Sequence, residues 1–277
     1  MRVFIGVFMG ATLLAFAGSV AAQDAVSVAQ LDGKVSVSIG GELFTEYCHT
    51  DVPRPFLYPV LGPKGLPVMR NYPMAKAENE TTDHVHHRSL WFTHGDVNGM
   101  DFWAETEKSG TIQHAEFLEI ASGETGLIRV SDRWVSKQGE TILTDERSMR
   151  FSAAKDARII DFDVTLIASH GPVVFGDTKE GSMAIRLAPT MRLSGPVAQG
   201  AIVTSEGVEG KAAWGTRAKW FDYYGPVQGQ TVGVAIFDHP ANPRHPTWWH
   251  VREYGLFAAN PFGISNFDKN AKEKGDF

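Results

Sequence analysis

The sequence predicts an all-β fold, a single-domain antiparallel β-sandwich. Apolar residues alternate with polar ones along most of the chain, and glycine-containing turns separate the alternating stretches. Long stretches of helical periodicity are missing. About a dozen short strands without long helices are typical of two sheets packed face to face. A supersandwich, in which both sheets are large, is an alternative form of the same architecture.

The chain begins with the features of a secretory signal peptide. Arg2 is followed by an apolar run over residues 3–17 and then by small residues up to Ala22. Residues 1–22 are therefore predicted to be removed, which leaves residues 23–277 as one domain. An uncleaved membrane anchor is the alternative, but a span needs roughly 20 apolar residues. We predict a periplasmic or secreted protein with no membrane contact after signal cleavage.

The domain is predicted to begin with a hairpin. Asp32 and Gly33 form its two-residue turn, and a third strand is predicted at residues 43–47. Residues 51–74 contain six prolines, which cannot all occupy central strands because proline lacks a backbone donor. This segment is predicted to be an irregular edge or surface segment.

The middle of the chain predicts a four-strand meander. Between residues 110 and 169 the period-two pattern returns four times, with glycine-containing turns between the repeats. Further short strands are predicted at residues 173–175, 182–187, 201–205, 218–224 and 231–238.

The composition excludes several classes of function. There are 26 basic and 32 acidic residues, so the net charge of −6 provides no field for holding a nucleic acid. Phosphate loops, dinucleotide fingerprints and nucleophile elbows are missing, which excludes kinases, Rossmann dehydrogenases and serine hydrolases. With one cysteine, Cys48, the chain has no internal disulfide.

The first of three polar segments, residues 81–99, holds four of the ten histidines. In an extended chain His84 and His86 project to one face, with about 7 Å between their Cα atoms. Together with His94 they could hold a catalytic transition metal. The fixed charge of Arg88 opposes such a cation, so we favour a site without metal or other cofactor, in which His86 and Arg88 bind substrate. A purely structural cluster is the third interpretation.

The second polar segment, residues 175–186, places a run of ionisable residues between two glycines and two apparent strands. Such a loop presents side chains into a cleft, although a solvated hairpin tip has the same composition. A carboxylate near the guanidinium of Arg186 can be held ionised as a base. Glu180 is therefore the predicted general base, and Arg186 is predicted to bind substrate oxygens.

The third polar segment, residues 237–252, combines three prolines, three histidines and two adjacent tryptophans. Aromatic rings beside arginine, asparagine and histidine are typical of a sugar-binding surface, because a ring face packs on a pyranose while polar groups bind its hydroxyls. A core position is the alternative for each tryptophan. The predicted substrate-binding residues here are Arg244, His239, Trp248 and His250, and the predicted catalytic acid is His245 or His94.

Four blocks of sequence resemble the bacterial PmoA-like family of unknown function. They are RPFLYPVLGPKGLPVMRNYPM, DHVHHRSLWFTHGDVNGMDFW, FGDTKEGSMAIR and FDHPANPRHPTWWHVREYGLFAANPFG, within about residues 54–262. The family label, taken from a methane monooxygenase subunit, implies copper-oxygenase activity. Similar proteins in exported sugar-degradation systems imply a carbohydrate substrate instead. At fold level the pattern also resembles the galactose-mutarotase-like supersandwich, whose members include epimerases, lyases and glycosidases.

These observations lead to hypotheses of different classes. The first is an exported carbohydrate-active enzyme, a hydrolase, lyase or epimerase, that uses His/carboxylate acid–base chemistry on a glycoside or modified sugar. The second is a non-catalytic periplasmic sugar-binding protein. A metal-dependent hydrolase or oxidoreductase follows if the histidines hold a metal. The expected partner is therefore a small-molecule or oligosaccharide substrate. The sequence does not indicate whether the protein forms oligomers.

Overall fold

A computed structural model describes residues 25–271 and 275–277 of the chain. The signal-peptide prediction for residues 1–22 lies outside the described residues. Within them we number the strands and the α-helix in chain order. They are β1 (Val26–Leu31), β2 (Lys34–Ile39), β3 (Glu42–Cys48), β4 (Phe56–Val60), β5 (Leu90–His94), β6 (Thr111–Ala121), β7 (Gly126–Val135), β8 (Thr141–Ala154), β9 (Ala157–Ile167), β10 (Gly181–Arg186), β11 (Ala201–Thr204), β12 (Trp220–Val227), β13 (Gln230–Phe237), β14 (Trp248–Val251), β15 (Leu256–Asn260) and α1 (Ile264–Phe267).

The strands form an open antiparallel β-sandwich, which confirms the predicted fold class. An eight-stranded sheet has the order β1-β2-β3-β4-β5-β10-β15-β14, β6 to β9 form a meander, and β11 to β13 form a smaller sheet. Val37, Met149 and Phe221 come from the three different sheets and are buried in one hydrophobic core. No helix in this described part of the chain is long and apolar enough to cross a membrane.

The proline-rich segment differs from its prediction. β4 lies inside the eight-stranded sheet between β3 and β5, so the expectation of an edge or surface segment is wrong for these residues. The physical reason is the short pairing between β4 and β5, which is confined to Phe56 and Leu57. Pro59 lies past the end of that ladder, so its missing N–H breaks no hydrogen bond to β5.

The predicted hairpin and meander are confirmed by β1 to β3 and by β6 to β9. No strand forms at residues 173–175, where Phe175 makes one isolated bridge to Val97. Four strands escaped prediction: β4, β5, β14 and β15. β5 and β15 are buried almost throughout, so they lack the polar alternation that marks a strand with one solvated face.

The two faces of the eight-stranded sheet have different surroundings. Ile185 and Phe257 pack into the core that joins the three sheets. The opposite face, which we call the outer face, carries the alternate residues. On it Trp91, Ala184, Ala258 and His250 stand in one row across four strands, β5, β10, β15 and β14. The two small alanines leave room above the middle of this row for side chains from the loops.

Candidate functional site

A chain segment with three histidines covers the outer face. It turns sharply at His84, which has a φ of 46°, and the backbone N–H of His87 donates to the carbonyl of His84. The extended path considered for the metal site is therefore not formed here, and the ring of His87 joins those of His84 and His86. The ring centroid of His87 lies 4.7 Å from that of His84 and 4.5 Å from that of His86. Below it His87 stacks on Trp91 of the sheet, at 5.3 Å.

Asp83 connects this segment to two buried arginines. Its Oδ1 lies 2.8 Å from Nη1 of Arg70 and 3.3 Å from Nη2 of Arg186. Partial burial alone would raise the pKa of Asp83, but the hydrogen bond from Thr81 and the charge of Arg186 outweigh it and lower the pKa to about 2. Asp83 is therefore a fixed negative charge at neutral pH.

His87 acts as a neutral acceptor in this arrangement. Burial first, and then the nearby charges of His86 and Arg186, push the pKa of His87 far below its usual value. Its Nδ1 lies 2.8 Å from Nη1 of Arg186, which can only donate, so Nδ1 accepts and the proton is assigned to Nε2. Burial and the charge of Arg54 also lower the pKa of His86, to about 4, and both rings are neutral at pH 7.

Tyr254 lies at the centre of the site, on the turn between β14 and β15. The guanidinium of Arg186 lies 4.4 Å from the centre of its ring, and the ring of His84 stacks on it at 5.2 Å. Burial raises the pKa of the Tyr254 phenol. Arg186 and Arg252 act against this rise, whereas the charges of Glu180 and Asp83 add to it. The phenol thus lies within the field of both carboxylates and keeps its proton at neutral pH.

Glu180 lies at the start of β10, on the same side of the sheet. Its carboxylate pairs with Lys179 at 2.5 Å, and Oε2 lies 3.9 Å from Nδ1 of His250. Burial, with the charges of Arg252 and Lys179, lowers the pKa of His250 to about 3. His250 Nδ1 therefore donates to the carbonyl of Lys179, and Nε2 accepts from Nε of Arg252 at 3.0 Å. Three of the predicted residues, Glu180, Arg186 and His250, are thus brought together.

Arg88, a predicted substrate-binding residue, is held at the edge of the site by Glu105. Its Nε and Nη2 donate to the two oxygens of that carboxylate, each at 2.7 Å. The buried Arg54 approaches the same carboxylate at 3.3 Å and donates to the carbonyls of His86 and Trp103. This pair of arginines therefore fixes the position of the histidine segment.

His94, a predicted catalytic acid and metal ligand, lies apart from the other histidines of its segment. Its side chain is fully buried against Phe175 and Phe262, and Nε2 lies 2.8 Å from the carbonyl of Gly176. Burial lowers the pKa of His94. It ends β5, whose first residue is Leu90, and four residues of strand span about 13 Å. The structure therefore does not bring His94 together with the histidines that precede this strand.

The predicted metal set, His84, His86 and His94, is accordingly not assembled. Across residues 25–271 and 275–277, no group of three or more His, Cys, Asp or Glu side chains is arranged to hold a metal ion.

The loop before β14 holds the other predicted residues in a separate network. His245 pairs with Asp238 at 2.7 Å, and His239 accepts a hydrogen bond from the backbone of Ala241 in the same loop. Arg244 donates to the carbonyls of Pro261, Gly275 and Asp276. Trp248 is half-buried, with Arg217 stacked 4.3 Å from the centre of its ring. These contacts order the loop, and none of them reaches Glu180 or Tyr254.

Four residues of the site escaped the sequence analysis: Arg70, Asp83, Arg252 and Tyr254. Asp83 begins the histidine-rich block, and Arg252 and Tyr254 follow directly after the tryptophan pair, so their proximity to the motifs was a usable signal. Arg70 lies in the proline-rich segment, where nothing in the local pattern indicates a buried cation.

A family model described as a family of unknown function, DUF6807, matches residues 34–275. No curated protein and no solved structure matches the chain. All residues of the site described above lie inside the matched range.

Proposed function

The chain belongs to DUF6807, a family of unknown function, and from its site we propose an exported carbohydrate-active enzyme that acts on a glycoside or modified sugar by acid–base chemistry. One observation carries this proposal. Two carboxylates reach the outer face from separate loops: Asp83 contacts Arg186, whose guanidinium lies 4.4 Å from the centre of the Tyr254 ring, and Oε2 of Glu180 lies 3.9 Å from Nδ1 of His250. Charged and aromatic groups that converge from distant segments are typical of a substrate site.

We assign the catalytic roles from the protonation state of each residue and from the groups that it contacts. Asp83 is held ionised between two arginines, so it orients them and takes no proton at neutral pH. The side chain of Glu180 is about one-third exposed, and its carboxylate is not held between two arginines as that of Asp83 is, so it keeps its predicted role as base. The partly exposed ring of His84 stacks on Tyr254, and we assign the acid role to these two residues in place of His94 and His245.

Sugar binding is supported by the ring surfaces. Tyr254 and His84 stack in nearly parallel planes and are only partly buried, and ring surfaces of this kind pack against the apolar side of a pyranose, whereas the buried ring of His87 supports the stack. The arginines and neutral imidazoles around them supply donors and acceptors for hydroxyl groups. The resemblance to the PmoA-like family and to the supersandwich enzymes stays a prediction, and the proposal does not depend on either.

The test is a screen of glycosides, keto-sugars and uronides with wild-type protein, Glu180→Gln and Glu140→Gln. Glu180→Gln keeps the volume of the side chain but cannot accept a proton, so activity should fall at least about 100-fold, as for loss of a general base. Glu140 is exposed on a turn far from the site, and its variant should keep full activity. Full activity in Glu180→Gln would exclude the base role.

A specific contact supports the alternative, a non-catalytic sugar-binding protein. The Nζ of Lys179 lies 2.5 Å from Oε1 of Glu180 and so occupies one of the two carboxylate oxygens. A binding protein would show saturable affinity for a sugar and no product after long incubation with any substrate of the screen. Product formation that Glu180→Gln abolishes would exclude this alternative.

A further inference from the structure

The site carries more positive than negative charge. Around Tyr254 lie four cations, Arg70, Arg186, Arg252 and Lys179, and two carboxylates, Asp83 and Glu180. The imidazoles of His86, His87 and His250 are neutral at pH 7, so they do not change this difference. Among these six groups, the positive charges therefore exceed the negative charges by two.

Arg186 is the first of these uncompensated cations. Its side chain is fully buried, and the carboxylate it contacts is the one already bound more closely by Arg70. Its other partner is the neutral ring of His87, and its Nε is buried without any hydrogen-bond partner among the described residues. Burying a cation that shares its one carboxylate with another arginine costs free energy of folding unless a further anion lies close to it.

Arg252 is the second cation of the site without a matching carboxylate. Its Nε donates to neutral His250, and its guanidinium stacks 5.2 Å from the centre of the Trp214 ring. No Asp or Glu of the described chain lies within ion-pair distance of it, and the neighbouring Glu253 pairs with Lys211. Arg186 in β10 and Arg252, one residue past the end of β14, are both opposite Leu256 of β15. Their Cα atoms are therefore about 10 Å apart on one face, a span that two arginine side chains can close around one carboxylate.

We propose that the sugar bound at this site carries a carboxylate, as a uronic or aldonic acid does, and that Arg186 and Arg252 bind this group beside Tyr254. The inference rests on the proposed function and names its substrate class. It also explains why the arginines of the site outnumber its carboxylates, since the missing negative charge comes with the ligand. Burial and the charge of Arg70 lower the pKa of Arg186 to about 10, as expected for a cation that awaits a counter-ion.

The test compares ligands that differ in charge alone. Binding of D-galacturonate and D-glucuronate is measured by titration calorimetry beside their neutral methyl esters, the parent sugars and acetate. A charge-assisted pair is worth about tenfold or more in affinity, so each acid should bind at least that much more tightly than its ester. Arg252→Gln should remove this difference. Arg217→Gln, which also loses an arginine stacked on a tryptophan, should retain it.

Each other outcome has a distinct meaning. Equal affinity for acid and ester would overturn the inference and leave the proposed function intact, because sugars would still bind. Binding of acetate as tight as that of the uronates would overturn it in favour of a simple anion site. No binding of any sugar, charged or neutral, would overturn the proposed function and this inference together.

Discussion

Three largely buried, neutral histidines make the free energy of unfolding of this protein depend on pH. The pKa of His86 is lowered from 6.5 to about 4 and that of His250 to about 3, and that of His87 is also strongly lowered, in each case mainly by burial. In the unfolded chain the same side chains take up protons near pH 6.5. Below that pH the unfolded state binds more protons than the folded state, and protons favour unfolding.

We therefore expect the free energy of unfolding to be highest above pH 6.5 and to fall as the pH drops from 6.5 toward 4. Each such histidine contributes a slope of up to about 1.4 kcal/mol per pH unit. Urea unfolding at several pH values between 8 and 4.5 measures the slope. His250→Gln should reduce it, whereas His170→Gln, at an exposed position, should leave it unchanged. A stability that stays constant between pH 7 and pH 5 would contradict this account.

At the residue scale, the sequence indicated which segments carry the chemical groups of the site but not how those groups are arranged. The segments that contain His86, Glu180 and Arg186 were identified because ionisable residues cluster there. Their partner Arg70 was not, since it lies in the proline-rich segment, where the local pattern indicates no buried cation. The left-handed turn at His84 was also not predicted, because only a small fraction of non-glycine residues adopt that conformation, and it redirects all three rings.

Between neighbouring strands, β7 and β8 hold a fully buried charge network. Asp132 and Asp145 are directly opposite each other in the ladder, and Arg147 contacts both carboxylates, at 3.0 Å and 2.9 Å. The Nε1 of Trp134 donates to Asp145 as well, at 2.6 Å. The two aspartates raise the pKa of Arg147 despite its burial. One arginine thus separates two buried like charges.

Arg147→Met should destabilise the protein by about 3–5 kcal/mol, because it leaves two carboxylates buried without their cation. Arg150→Met, on the same strand, removes one partner of a solvent-exposed pair with Asp163 and should cost less than about 1 kcal/mol. The midpoints of urea unfolding at pH 7.5 give both values. A loss for Arg147→Met no greater than for Arg150→Met would show that this network contributes little.

Strands with one solvated face were predictable, and strands covered on both faces were not. β9 alternates half-buried and exposed residues, and in β8 every second residue from Leu143 to Phe151 is buried, so their period stands out. β15 lies between the shared core and the site, and apolar or small residues occupy both of its faces. Of the four strands beneath the site, the period-two pattern therefore revealed β10 but not β5, β14 or β15.

At the scale of the whole molecule, one core holds the three sheets together. Val37, Met149 and Phe221 represent the eight-stranded sheet, the meander and the small sheet within it. Because each sheet buries its apolar face against the others, none can lose its packing alone. We expect one cooperative unfolding transition in urea, with coincident midpoints from tryptophan fluorescence and far-UV circular dichroism. Two separate transitions would show that the sheets fold independently.

The site is assembled from parts of the chain that are far apart in sequence, with Arg70, Asp83, Arg186 and Tyr254 on four different segments. An unfolded chain cannot hold these groups together, so a ligand that needs them binds only the native state. Such a ligand at 100 times its dissociation constant adds about 2.7 kcal/mol to the stability. The rise in melting temperature therefore reports how much ligand is bound to the site. A library of sugar acids can be ranked by this thermal shift before any reaction is known.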